Sequence, residues 1–211
     1  MLEYYLAKPA SATGPGVLVL HAWCGLNPFT KDFCNRLARE GLTVLAPDLY
    51  HGAVAVTIEE AQKLRSKLKR EAAELEIGQA VDQLRLACGA GSHNLGVVGF
   101  SLGGYYALGL AEQPGSPLSA AVIFYSARGG DYTQGQAAYQ FHLAETDAYV
   151  STSGVKKLQK SLKAAGRQAE FHIYPGTAHW FFESDRPDAY HPQAAASAWS
   201  RTVEFLKKHS T

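Results

Sequence analysis

The 211-residue chain is short of several things, and each shortage closes off a class of protein. Its three cysteines, Cys24, Cys34 and Cys88, form no C-x-x-C pair and no even-numbered set. A disulfide framework and a structural zinc site are therefore not expected, and buried or free thiols are. Nothing in the sequence implies a metal or a cofactor. Charge of one sign is lacking: 20 Lys and Arg stand against 19 Asp and Glu, a net +1. No field favours nucleic acid or an anionic membrane surface. No apolar run approaches the roughly 20 residues that span a bilayer. The opening M-L-E-Y-Y-L-A-K-P lacks the basic stretch and apolar run of a secretory signal. The expectation is a cytoplasmic protein, monomer or weak homodimer, with one domain over residues 1–211.

What is present is a series of short apolar runs. Gly16–Leu20, Leu42–Ala46, Leu95–Phe100 and Ala120–Tyr125 are continuous rather than alternating. Such runs suit strands buried on both faces of a parallel sheet. Ala138–Ala144 and Ala169–Tyr174 alternate more and read as further strands. Helical patterns lie between them, over Thr30–Arg39, Ile58–Cys88, Leu102–Ala111, Ser151–Ala165 and Pro192–Lys208. The long Ile58–Cys88 stretch reads as two helices joined near Gly78. Strand and helix in alternation predict the α/β class, with a doubly wound, mostly parallel sheet flanked by helices. Residues 126–136 form a Gly-rich loop. The basic segment K-L-R-S-K-L-K-R at 63–70 reads as a solvated helix face, because Glu59–Lys63, Lys67–Glu71 and Arg70–Glu74 are each four apart.

The motif with chemical content is G-F-S-L-G-G at 99–104. It fits G-x-S-x-G, with a buried-strand pattern before it and a helical pattern after it. A tight strand-to-helix turn there would lift the Ser101 oxygen above the sheet. Gly99 and Gly103 would remove side chains in the way of so tight a turn. The N-terminal N–H groups of the following helix would face a developing oxyanion. A serine nucleophile needs a base and an orienting acid, which in this architecture follow in the order acid, then histidine. A-E-T-D offers Asp147 just past one strand pattern, and G-T-A-H offers His179 just past the next. Strand C-terminal ends are where open parallel sheets build sites. Glu145 is a possible stand-in for Asp147. His142 and His172 lie inside strand patterns, Asp131 reads as a turn former, and His191 and His209 have no strand to present them.

The stretch H-A-W-C-G at 21–25 follows the first buried run and precedes a helix. It reads as the second half of an oxyanion hole, its donor the Trp23 N–H beside that of Leu102. His21 reads as an end-of-strand residue that ties the loop. Cys24 reads as a packing residue, with a reactive thiol left open.

Taken together, G-F-S-L-G-G, A-E-T-D, G-T-A-H and P-D-L-Y (47–50) make the chain resemble the dienelactone hydrolase family over nearly its whole length. The resemblance implies an α/β-hydrolase fold without a large cap insertion. Ser101, Asp147 and His179 match the family's catalytic positions, and the implied partner is a small ester or lactone. The family's founding enzymes carry a cysteine nucleophile where this chain has Ser101. They carry a glutamate in the oxyanion loop where this chain has Ala22. They also use arginines to hold a substrate carboxylate, and Glu183 stands where one of these is expected. The other has no clear counterpart in 57–70. A neutral, aromatic pocket is therefore expected, lined by Trp23, Tyr50, Tyr105 and Trp180, with Arg128 as a candidate replacement anion contact. The function expected is a serine carboxylesterase or lactonase. A thioesterase or deacetylase on the same residues, or a catalytically silent binding domain, are the alternatives.

Overall fold

The computed structural model describes residues 2–89 and 94–210. Its seven strands form one sheet. They are β1 (Tyr4–Ala7), β2 (Gly16–Leu20), β3 (Thr43–Pro47), β4 (Leu95–Phe100), β5 (Leu118–Phe124), β6 (Ala138–Ala144) and β7 (Ala169–Tyr174). The order across the sheet is β1-β3-β2-β4-β5-β6-β7, and every pairing is parallel except β1 with β3. Among the described residues the helices are α1 (Pro28–Arg39), α2 (Ile58–Lys67), α3 (Arg70–Cys88), α4 (Leu102–Ala111), α5 (Thr152–Ala164) and α6 (Pro192–His209). β2, β3 and β4 are buried at every position, because helices cover both faces of the sheet. On one side α1 and α6 pack through Phe33, Leu37 and Phe205. On the other, α3 and α4 pack through Ala80, Leu84 and Leu108.

The register brings the site together. Leu20 pairs with Gly99, Phe100 with Phe124, and Phe124 with His142. The C-terminal ends of β2, β4, β5 and β6 therefore open at one edge. Phe33, Phe100, Phe124 and Phe182 form a cluster of rings in the core, with Phe100 and Phe124 stacked 4.7 Å apart and Phe33 edge-on to Phe100. No helix among the described residues is long and apolar enough to cross a membrane.

Three features depart from the sequence reading. β1 was not expected; it is a four-residue, half-exposed edge strand held by pairing with β3. The break in Ile58–Cys88 falls at Leu68–Lys69, not near Gly78, which lies inside α3 with open space around it. Leu68 leaves helical geometry and packs inward against the core, so tertiary packing sets the break rather than local propensity. The Glu59–Lys63 and Arg70–Glu74 pairs form, each at 2.8 Å, while Lys67 and Glu71 lie on opposite sides of the break.

The 126–136 loop is strapped to α4. Arg128 places its guanidinium 2.8 Å from the Glu112 carboxylate and 4.6 Å over the Tyr105 ring. Its own carbonyl accepts the Tyr132 hydroxyl at 2.8 Å. Both charged side chains are largely out of water, and burial raises the Glu112 pKa. Removing Arg128 would leave Glu112 without its paired counter-charge and with only the more distant Arg70. Arg128→Ala is expected to destabilise the fold by about 2–4 kcal/mol in urea titration, as breaking a largely buried ion pair does. A midpoint equal to wild type would contradict the strap.

Candidate active site

Ser101 sits between β4 and α4 with φ 51 and ψ −108, a conformation that L-residues other than glycine seldom take. Crowding explains why the chain holds it. A Cβ on Gly103 would lie 2.1 Å from the Leu20 carbonyl oxygen, and one on Gly99 would lie 2.6 Å from the Gly103 oxygen. With those side chains absent, α4 can start directly against the end of β2. The Ser101 N–H donates to the Phe124 carbonyl at 3.0 Å, which continues the β4–β5 ladder into the turn.

The structure brings Ser101, His179 and Asp147 into line. Ser101 Oγ lies 2.9 Å from His179 Nε2, and His179 Nδ1 lies 2.8 and 2.9 Å from the two Asp147 carboxylate oxygens. Asp147 follows β6 and His179 follows β7. Asp147 also accepts the N–H groups of Tyr149 and Val150, which fixes the carboxylate in its turn. Tyr125, Tyr149 and Trp180 surround the imidazole with ring centroids 4.7–4.8 Å away.

The other candidates go elsewhere. Glu145 accepts the Gly176 N–H at 2.9 Å. His142 is fully buried in β6, bonded to Tyr174, Gln140 and Thr202. His172 lies in β7 beside Glu170, Asp131 accepts the Thr133 N–H, and His191 caps α6. His21 donates from Nδ1 to the Ala22 carbonyl at 2.7 Å, and its Nε2 accepts the Leu49 N–H at 3.2 Å. It thus ties the H-A-W-C-G loop to P-D-L-Y, and burial holds it neutral. The Cys24 thiol is buried against Arg186, and burial and then the Glu183 charge raise its pKa, which disfavours the thiolate.

A cleft of about 590 Å³ opens above Ser101. Trp23, Leu102, Tyr105, Tyr125 and Tyr149 line it, together with Arg65 and Arg70 from the α2–α3 break. Trp23 and Leu102 thus lie at the expected edge of the site. The cleft differs from the expected pocket in its lining and in its charge. Tyr50 lies behind the wall against His21, because the His21–Leu49 tie draws P-D-L-Y inward. Trp180 is buried with Arg186 stacked 4.2 Å over its ring. Arg128 is committed to Glu112. Glu183 does not face the cleft; it is 1% exposed and accepts the Tyr125 hydroxyl at 2.5 Å. The cleft is not neutral, since Arg65 and Arg70 bring cationic charge to it. Arg70 also pairs with Glu74 at 2.8 Å, while Arg65 lies 5.9 Å over the Trp23 ring.

A model of the dienelactone hydrolase family matches residues 2–210. The chain belongs to that family of hydrolases. It is 32% identical to Protein usf of Aquifex pyrophilus, over 98% of this chain and 93% of the relative. It is also 32% identical to a protein of Aquifex aeolicus that bears the name "Putative carboxymethylenebutenolidase", over 97% of this chain and 92% of the relative. Among solved structures, the dienelactone hydrolase-like promiscuous phosphotriesterase P91 from metagenomic libraries superposes with a TM-score of 0.88. That match covers 100% of this chain and 93% of P91 at 20% identity, which speaks for the fold alone. The positions at which the sequence departs from the family resemblance are Ser101 in the strand-to-helix turn, Ala22 in the loop after β2 and the buried acid Glu183.

Burial pushes the Glu183 carboxyl up to about 8 from an ordinary value of 4.5. Between those values the folded protein holds a proton that the unfolded chain has released. Stability should therefore fall as pH rises through that window and be unaffected by this group below it. His142, which burial drives well below its ordinary value, contributes with the opposite sign. The difference between wild type and Glu183→Gln isolates Glu183. Urea midpoints at pH 5 and pH 8 should show a larger alkaline loss for wild type than for the variant; equal losses would contradict a neutral buried acid.

Proposed function

We propose that the chain is a serine hydrolase that cleaves small esters or lactones through an acyl-enzyme. The observation that carries the reading is the Ser101–His179–Asp147 line at hydrogen-bond distances, with Ser101 and His179 lining the cleft. His179 Nε2 takes the Ser101 proton as Oγ bonds to the carbonyl carbon. The carbonyl oxygen becomes an oxyanion and is received by the N–H groups of Leu102 and Trp23. Leu102 is the first residue of α4, so its N–H has no partner within the helix and the helix end carries partial positive charge. Collapse breaks the ester bond, and the proton on His179 passes to the leaving alkoxide. In a lactone that alkoxide stays tethered to the acyl group. Water then repeats the sequence at the acyl carbon and frees Ser101. Asp147 accepts the Nδ1–H throughout and offsets the imidazolium charge.

The cleft's charge supports one substrate class, with Arg65 as the main contributor because Arg70 is already paired with Glu74. Arg65 and Arg70 suit an ester or lactone that carries a carboxylate, because a guanidinium binds one with two parallel bonds. The name of the Aquifex aeolicus relative agrees with a lactone of that kind.

Two variants test the reading with p-nitrophenyl acetate and an anionic dienelactone as substrates. Ser101→Ala should lower kcat on both by up to about 10⁶-fold, as loss of a nucleophilic serine does. Arg65→Ala should raise KM for the anionic lactone about tenfold or more and leave neutral acetate within about twofold. Full turnover by Ser101→Ala would overturn the nucleophile. Equal effects of Arg65→Ala on both substrates would overturn the carboxylate assignment.

A further inference from the structure

The cleft's innermost wall holds a group that the hydrolytic steps above do not use. Tyr125 ends the β5 ladder at φ 35, in the left-handed region, and is fully buried although it borders the cleft. An aromatic residue stays in that conformation only where its surroundings force it. Two contacts do so. Its N–H donates to the His142 carbonyl at 2.8 Å, and its hydroxyl donates to Glu183 Oε1 at 2.5 Å.

Glu183 belongs to the same short segment as His179. The turns Ala178–Phe181 and Trp180–Glu183 close with N–H to carbonyl bonds of 3.2 and 2.9 Å. Trp180, directly after His179, also lies in the left-handed region, at φ 68. On the nucleophile's side, Phe124 accepts the Ser101 N–H at 3.0 Å, and Tyr125 is the next residue. A continuous connection thus runs from Ser101 through Phe124 and Tyr125 to Glu183, and back through two tight turns to His179. The Tyr125 ring itself lies 4.8 Å from the imidazole, tilted by 57°. Asp147 holds one end of the imidazole, but nothing in that contact sets the distance between the base and the serine turn.

We propose that the Tyr125–Glu183 hydrogen bond is a buried latch that positions His179 against Ser101. Tyr125 and Glu183 are positioning residues: they act on the base, and neither contacts the reacting atoms. The bond joins the segment that carries the base to the strand that carries the serine turn. Without it, that segment can shift by a fraction of an ångström with the fold intact. Misplacement of that size costs reaction rate far more than substrate binding. The neighbours of the Glu183 carboxyl suit the role. Asp185 is tied to Asn27 at 2.6 Å, and Arg186 stacks on Trp180 and pairs with Asp188, while the Tyr125 hydroxyl donates to Glu183.

The latch rests on the serine-hydrolase reading, and the test separates the two. Kinetics with p-nitrophenyl acetate are normalised to active sites titrated with a fluorophosphonate. Wild type is compared with Ser101→Ala, Tyr125→Phe, Glu183→Gln and the pair Tyr125→Phe/Glu183→Leu. The pair removes both polar groups at once and avoids leaving a buried acid unpartnered, which protects the fold. Tyr125→Phe and the pair should each lose about tenfold or more in kcat per titrated site, with KM within about twofold. Glu183→Gln, which still accepts the hydroxyl, should stay within about threefold of wild-type kcat. If the pair restores kcat along with melting temperature, the bond is structural only and the latch is overturned. Wild-type kcat in Tyr125→Phe overturns it as well. If Ser101→Ala turns over at the wild-type rate, the nucleophile assignment falls and the latch falls with it.

Discussion

The steric fit at the end of β4 is the constraint on which the rest of the site depends. The Gly103 backbone lies against the Leu20 and His21 carbonyls, where a Cβ would come within 2.7 Å of both. That contact sets where α4 begins. It forces Ser101 into a left-handed conformation, lifts its hydroxyl toward the cleft and brings the α4 N-terminus beside the H-A-W-C-G loop. The parallel register then determines what stands nearby, because the ends of β6 and β7 deliver Asp147 and His179 to the same edge.

Around this centre the polar groups are divided between two surroundings. His179 lines the cleft and is held by Asp147 behind it, and Arg65 and Arg70 bring positive charge to the same cleft. Glu183 and His142 lie in the protein interior, where burial drives both toward neutrality. An acid placed in the cleft would repel a carboxylate substrate. Turned inward and bonded to Tyr125, Glu183 leaves the field of the cleft to the arginines.

Much of this was legible in the sequence where local pattern and fold agree. The continuous apolar runs marked the central strands within a residue or two, because burial on both faces leaves no polar alternation. G-F-S-L-G-G could be read because a strand pattern, two spaced glycines and a helix pattern meet at one serine. Asp147 and His179 could be placed because each follows a strand. Other features depend on packing that no local pattern encodes. β1 is too short to signal itself without β3. The α2–α3 break carries neither Gly nor Pro, and falls where Leu68 leaves helical geometry and packs, partly buried, against the core. That break sends Arg65 and Arg70 to the cleft, so the charge run at 63–70, expected as a solvated face, in part faces the site. Tyr50, Trp180 and Glu183 were misplaced for a related reason. Neighbourhood in sequence to a site residue does not say which way a side chain turns.

A nucleophilic Ser101 would carry the acyl group through turnover, and trapping that acyl-enzyme tests its role most directly. The protein would be mixed with p-nitrophenyl acetate, quenched in acid within the first turnover, digested and mapped by mass spectrometry. An acetyl group on the peptide bearing Gly99–Gly104, located at Ser101, is the predicted result. Acetylation at Cys24 instead, or turnover with no acylated residue, would contradict it.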